Sequence, residues 1–117
     1  MIENTSIKIF RYEVPEGVCE YHAMLRVTNP RLTYMEQVDC LMEAYGQLMQ
    51  GEMKGAVAVF KRFFVSDAAN QANYLQALHA ERSDCALSII EQPPLDGSKV
   101  ALWVYIQRGV QTKALAN

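Results

Sequence analysis

Histidine and cysteine are scarce in this chain, which has two histidines and three cysteines among 117 residues. A structural zinc site needs several such ligands, and Cys19 and His22 form one pair without a second, because His79 stands alone. The cysteines are odd in number and widely spaced, so they do not make a disulfide framework. We therefore expect no metal site, no cofactor and reduced thiols.

Long apolar runs are absent as well. No run approaches the roughly 20 apolar residues of a transmembrane helix. Residues 1–6 have neither the charged segment nor the apolar segment of a secretory signal. These absences predict a cytoplasmic protein with no membrane partner.

The chain also has no excess of basic charge. Its 11 lysines and arginines are outnumbered by 13 acidic residues, which gives a net charge of −2. The longest basic cluster is the pair Lys61 and Arg62, and two phenylalanines follow it at once. Nucleic-acid binding leaves a basic electrostatic footprint, so we expect no nucleic-acid partner.

The sequence contains enough hydrophobic residues for one core. Half of its residues are hydrophobic, and a chain of this length buries roughly two thirds of its unfolded surface. No linker, repeat or low-complexity stretch divides it. We expect a single domain over residues 1–110, followed by a frayed tail at residues 111–117.

The most informative segment is residues 84–107, which reads as a β-hairpin with a turn at residues 93–97. Between Val100 and Ile106 the only polar group is the Tyr105 hydroxyl, so apolar and polar residues do not alternate. A strand that has no solvent-exposed face must be covered on both sides. Helices can cover one side, which leaves the other for a second subunit or domain.

Further elements follow from capping and periodicity. Strands are expected at residues 6–14, 20–28 and 55–66. Thr33 and Glu36 form a capping-box pattern before a helix that ends near Gly51, and Asp67 precedes a helix that runs to about Glu81. The order β-β-α-β-α-β-β predicts an α+β fold with two helices on one face of a mixed sheet. Three such sheets around a trimer axis would cover the second face.

This order and several segments resemble the Rid/YjgF family, whose members are trimers with a chorismate-mutase-like fold. The similar segments are residues 37–49 in the first helix, 63–67 (Phe-Phe-Val-Ser-Asp), 73–74 (Asn-Tyr) and 97–107. The resemblance implies hydrolysis of enamines and imines in clefts between subunits. There an arginine clamps the substrate carboxylate, and a nearby carboxylate supports hydrolysis through water.

The resemblance places these groups on unexpected residues. Aligning the strand ends puts Ala86 at the arginine position, while a shifted register offers Arg82, with Cys85 close behind. The carboxylate position falls on Ala101 or Trp103. The nearby acids, Glu91 and Asp96, belong in or beside the turn. This pattern indicates a Rid-like fold with a degenerate site.

The resemblance therefore implies one catalytic residue and several residues that bind substrate. The catalytic candidate is Arg82. The substrate-binding candidates are Gln71, Asn73, Cys85, Ala86, Ser88 and Trp103, with Gln71 taking the family's asparagine position. The expected ligand is a small carboxylated metabolite.

Other hypotheses stay open beside imine hydrolysis. The chain fits a non-catalytic metabolite-binding module, in which Trp103 and Tyr105 offer stacking surface. Arg26 and Arg31 flank the end of the second strand and are alternative clamps. The chain also fits an oligomerisation module, or half of a tandem protein whose cleft a partner domain completes.

Overall fold

The computed structural model describes residues 4–14, 17–82, 85–94 and 97–109. They form a mixed five-stranded sheet with two helices packed on one of its faces, which confirms the predicted α+β class and element order. The elements are β1 (Thr5–Val14), β2 (Val18–Val27), α1 (Tyr34–Gln50), β3 (Val57–Val65), α2 (Ala68–Arg82), β4 (Ala86–Glu91) and β5 (Val100–Arg108). The tail predicted to fray, residues 111–117, lies outside the described residues.

The strands are ordered β1-β2-β5-β3-β4 across the sheet. The predicted hairpin over residues 84–107 is therefore wrong, because β3 lies between its two arms. Helix α2 is a crossover that returns the chain to the far side of β3, where β4 pairs in parallel. Strand β5 lies at the other edge of β3 and pairs antiparallel with both β2 and β3.

Strand β5 is the centre of the sheet, which explains its apolar character. Its four residues that face the helices have no exposed surface: Val100, Leu102, Val104 and Ile106. Its other side carries Ala101, Trp103 and Tyr105, which are buried or half-buried by neighbouring strands. The chain itself covers one face of β5, and the covering of the second face by another subunit stays a prediction.

Helix α1 begins where the sequence predicted. The Thr33 hydroxyl oxygen accepts from the Glu36 amide at 3.2 Å, and the Glu36 carboxylate accepts from the Thr33 amide at 2.9 Å. This capping box satisfies two amides that have no partner inside the helix. At the other end, the Gly51 amide donates to the carbonyl of Gln47 and closes the last turn.

Helix α2 begins at Ala68, directly after Asp67, whose carbonyl accepts from the Gln71 amide at 3.0 Å. Leu75 is its most buried apolar side chain, at 1% exposure. Among the described residues, neither helix combines the length and the apolar character that crossing a bilayer requires.

Two of the buried polar residues, Gln37 and Lys61, lie between the helices and the sheet. Gln37 is fully buried, donates to the carbonyl of Leu32 and accepts from the amide of Lys99. It therefore joins the start of α1 to the segment that leads into β5. Lys61 of β3 is 1% exposed, with its Nζ 5.0 Å from the centroid of the Tyr45 ring. A cation–π contact thus accompanies the burial of a charge in this layer.

Candidate functional site

The face of the sheet turned away from the helices, here called the open face, has no covering element among the described residues. Because side chains alternate along a strand, every second residue of each strand lies on this face. The strand register places His22 of β2 beside Tyr105 of β5 there. Phe10 and Tyr12 of β1 are 48% and 52% exposed. The open face thus offers large side chains to a ligand or a partner.

Five rings from four strands form an aromatic cluster on the open face: Tyr12, His22, Phe60, Trp103 and Tyr105. The centroid of the His22 ring lies 5.3 Å from that of Tyr12, 5.4 Å from that of Trp103 and 5.2 Å from that of Tyr105. Phe60 makes a T-shaped contact with Trp103 at 5.8 Å. Aromatic pairs favour such edge-on arrangements over flat sandwiches. The cluster is therefore an ordered aromatic surface in the middle of the sheet.

Arg62 lies against this cluster. Its Cζ is 5.2 Å from the centroid of Phe60 and 5.8 Å from that of Trp103, within the range of cation–π attraction. Its Nε is buried without a hydrogen-bond partner in the described part of the chain. Sequence reasoning missed Arg62 as a site residue. The available signal was its neighbour Lys61: adjacent strand residues face opposite sides, so one of the two cations must reach the open face.

Glu20 is the acidic residue beside the aromatic cluster, and its carboxylate accepts a hydrogen bond from within the cluster. The Tyr105 hydroxyl donates to Glu20 Oε2 at 2.6 Å and accepts from Gln107 Nε2 at 2.8 Å. Burial, followed by the hydrogen bond to Glu20, raises the pKa of the Tyr105 hydroxyl. Tyr105 therefore stays protonated at neutral pH and donates a hydrogen bond to the Glu20 carboxylate.

Two adjoining pockets at one end of the open face share Met24 and Arg26, and together they are called the basic groove. The first has a volume of about 160 Å³ and lies between β2, β5, β3 and residues 92–94. The second has a volume of about 460 Å³ and extends over β1, where Lys8 and Phe10 line it. Among the described residues, no carboxylate lines either pocket. The groove therefore combines apolar walls with two cations.

The structure brings three of the predicted site residues to the open face. Ala86 lies beside Phe60, and Ser88 lies beside Arg62 on the edge strand β4. Trp103 lies on the other side of Arg62, on β5. Ser88, Arg62 and Trp103 thus form one cross-strand row, although the first and last are 15 residues apart in sequence.

The other predicted residues lie elsewhere. Gln71 closes the start of α2: its Oε1 accepts from the Asp67 amide at 2.9 Å, and its Nε2 donates to the Ser66 hydroxyl at 3.1 Å. Asn73 is exposed on α2, and Cys85 packs at the margin of the core.

Arg82, the catalytic candidate, is the last residue of α2, and its side chain lies outside the described part of the structure. Arg26, which the sequence offered as an alternative clamp, borders both pockets, whereas Arg31 lines neither.

Of the two acids expected near the turn, Glu91 is described by the structure, and it does not line either pocket of the groove. Glu91 Oε1 accepts from the amide of Ala68 at 2.9 Å, which satisfies the first turn of α2 from the end of β4. Asp96 lies outside the described residues. A hydrolytic water in the groove would therefore lack a carboxylate partner from the described residues that line it.

Cys19 and His22 lie on opposite faces of β2, because they are three positions apart along a strand. In the described part of the chain, no group of three or more histidine, cysteine or acidic side chains is arranged to hold a metal ion. Comparison of the sequence and the structure with protein-family models, with curated proteins and with solved structures found no match, so the resemblance to the Rid/YjgF family stays a prediction.

Proposed function

We propose that this protein is a non-catalytic binding module that holds a small carboxylated metabolite in the basic groove. One observation carries the proposal: Arg26 borders both pockets, Lys8 adds a second cation, and no carboxylate among the described residues lines either pocket. Such a concentration of positive charge is notable in a chain of net charge −2. A planar guanidinium binds a carboxylate through two parallel hydrogen bonds and stays charged at every physiological pH.

The test is a titration of ¹⁵N-labelled protein with propanoate, 2-oxobutanoate and benzoate, each paired with the corresponding amide. We expect the acids to shift amide resonances around Arg26 and the neutral amides to have little effect. Arg26→Gln should weaken binding at least about tenfold, because hydrogen bonds to charged groups contribute roughly 1.5–3 kcal/mol. Arg31→Gln is the matched control: it removes the same charge from an exposed arginine outside both pockets and should leave affinity unchanged.

Two results would contradict the proposal. One is binding of the acids that is equal in wild type and in Arg26→Gln. The other is binding of the amides as tightly as the acids, since charge recognition would then play no part.

The resemblance to the Rid/YjgF family supports imine hydrolysis as a second candidate function. The element order and the packing of both helices on one face favour it. Under this alternative, Arg82 would clamp the carboxylate of the substrate. Hydrolysis of freshly generated 2-iminopropanoate tests it: turnover in wild type that Arg82→Ala abolishes would make the chain a deaminase and displace the binding proposal.

We also propose that the chain works in an assembly, as a homotrimer or as a pseudo-trimer with similar domains. The large side chains on the open face support this, since Phe10 and Tyr12 are about half exposed. A partner domain in a tandem protein would also cover the open face. In each arrangement a neighbouring sheet would border the basic groove and complete a cleft.

Finally, we propose that the protein works in the cytoplasm. All three cysteines, Cys19, Cys40 and Cys85, lie within the described residues, and none of them forms a disulfide. Reduced thiols are the usual state in that compartment.

A further inference from the structure

The smaller pocket of the basic groove has a defined shape. Arg26, Ala101 and Phe64 form one cross-strand row, since Ala101 of β5 pairs with Arg26 on one side and with Phe64 on the other. The two outer strands of this row are two strand spacings apart, roughly 10 Å. A methyl group between two long side chains leaves a slot, with Ala101 as its floor.

The side of this slot opposite Arg26 is largely apolar. Phe64 forms one wall, and Pro93 and Pro94 close the slot beyond it. The amide of Gln92 donates to the carbonyl of Val65 at 3.0 Å, which fixes this segment against the end of β3. Proline has a fixed φ angle, so little conformational entropy is lost when a ligand packs against the pair. The slot therefore suits a flat apolar group.

From this geometry we propose that the smaller pocket selects a carboxylate carried on one six-membered aromatic ring, of the benzoate class. The ring would lie on Ala101 beside Phe64, and the carboxylate would reach Arg26. The pocket volume is about 160 Å³. A cavity of about 150 Å³ holds a benzene molecule, so one ring fits this pocket. This inference rests on the proposed function, because it needs Arg26 as the carboxylate clamp.

Phe64 on one side of the pocket and the cations on the other favour an aromatic carboxylate over a fatty acid or an amine. An aromatic ligand gains offset contacts with Phe64 that an aliphatic chain lacks. A cationic ligand would meet Arg26 and Lys8 with like charge, and no lining carboxylate among the described residues would compensate.

The experiment compares the dissociation constants of benzoate and propanoate, measured by NMR titration of the full chain. We expect wild type to bind benzoate at least about tenfold more tightly than propanoate, since the ring removes apolar surface from water. Ala101→Leu fills the floor of the slot and should bring the ratio of benzoate to propanoate affinity down to about one. Phe64→Leu removes the aromatic wall and should lower the same ratio, which keeps the test informative if Ala101→Leu does not fold.

The outcomes separate this inference from the proposed function. Equal affinities for benzoate and propanoate, both weakened by Arg26→Gln, would overturn the ring selectivity and leave the carboxylate site standing. No binding of any acid, or binding that Arg26→Gln leaves unaltered, would overturn both.

Discussion

At the scale of single residues, two tyrosine hydroxyls join the helices of this protein. The Tyr34 hydroxyl donates to the carbonyl of Gln71 at 2.7 Å, and the Tyr74 hydroxyl donates to Asp39 Oδ1 at 3.0 Å. The two rings meet edge to face, with centroids 6.2 Å apart. Burial, followed by the neighbouring Tyr74 hydroxyl, raises the pKa of Tyr34 from 10.0 to about 12. Tyr34 can hold α1 to α2 only while it keeps its proton.

Tyr34→Phe should therefore destabilise the protein in a pH-dependent way. The folded state holds this proton more tightly than the unfolded chain, so the contribution of Tyr34 is full below pH 10 and is lost as the pH rises to about 12. We expect the variant to be less stable by about 1 kcal/mol near neutral pH, the usual value of one hydrogen bond. Urea unfolding of both proteins at about pH 8 and about pH 11 should show the gap narrowing.

Tyr12→Phe is the control, because it changes an exposed hydroxyl on the opposite side of the sheet. A difference between wild type and Tyr34→Phe that stays constant across this pH range would contradict the assignment.

At the scale of elements, α1 depends on its first turn. Its 17 residues carry the buried stripe that packs on β2 and β5, and the capping box of Thr33 and Glu36 fixes where that stripe begins. Thr33→Ala removes the hydroxyl that accepts from the Glu36 amide. We expect a loss of about 1 kcal/mol in the free energy of unfolding, typical of an N-cap.

Thr33→Ser keeps the hydroxyl and is the matched variant. Chemical denaturation should show Thr33→Ser within a few tenths of a kcal/mol of wild type and Thr33→Ala clearly below it. Equal losses in both variants would mean that the cap has little part in the stability of α1.

The elements also show how far the sequence could predict this fold. The start of α1 was predictable because its signals lie within four residues of one another. The pairing of β4 was not, because a strand that precedes a proline-containing turn looks the same whether it pairs with the next strand or with an earlier one. The apolar character of β5 indicated full burial, but it did not say that β2 and β3 flank the strand.

Some residues of the candidate site could likewise be predicted from the sequence, and others could not. Trp103 and Arg26 could be proposed from their positions on predicted strands. Arg62 could not be placed beside Trp103, because that contact depends on the register between β3 and β5, which includes an irregularity between Ala58 and Phe60. Gln71 was assigned to substrate, whereas its side chain makes local hydrogen bonds at the start of α2.

At the scale of the whole molecule, charge is distributed unevenly between the two sides of the sheet. Among the residues that the structure describes, the open face carries Lys8, Arg26 and Arg62 against one carboxylate, that of Glu20. The chain as a whole has a net charge of −2, so its remaining surface is distinctly acidic. The open face is therefore both the aromatic and the cationic side of the molecule.

The protein should elute as an oligomer at micromolar concentration in size-exclusion chromatography with light scattering. Tyr12→Glu places a carboxylate on the open face, where the ring is 52% exposed, and should shift the protein toward monomer. Met35→Glu is the matched control, since Met35 is 54% exposed on α1 and away from that face. A wild-type protein that is a folded monomer would contradict the assembly proposal.

The position of β5 bears on how the polypeptide acquires its structure. Last of the five strands in chain order, it is third across the sheet and joins the β1–β2 pair to the β3–α2–β4 unit. During synthesis those two parts emerge first and have no ladder between them, so each exposes an edge that β5 will later occupy. Contacts of such long sequence separation are slow to form. The interval before β5 leaves the ribosome is therefore the period in which the nascent chain is most exposed to aggregation and to chaperone capture.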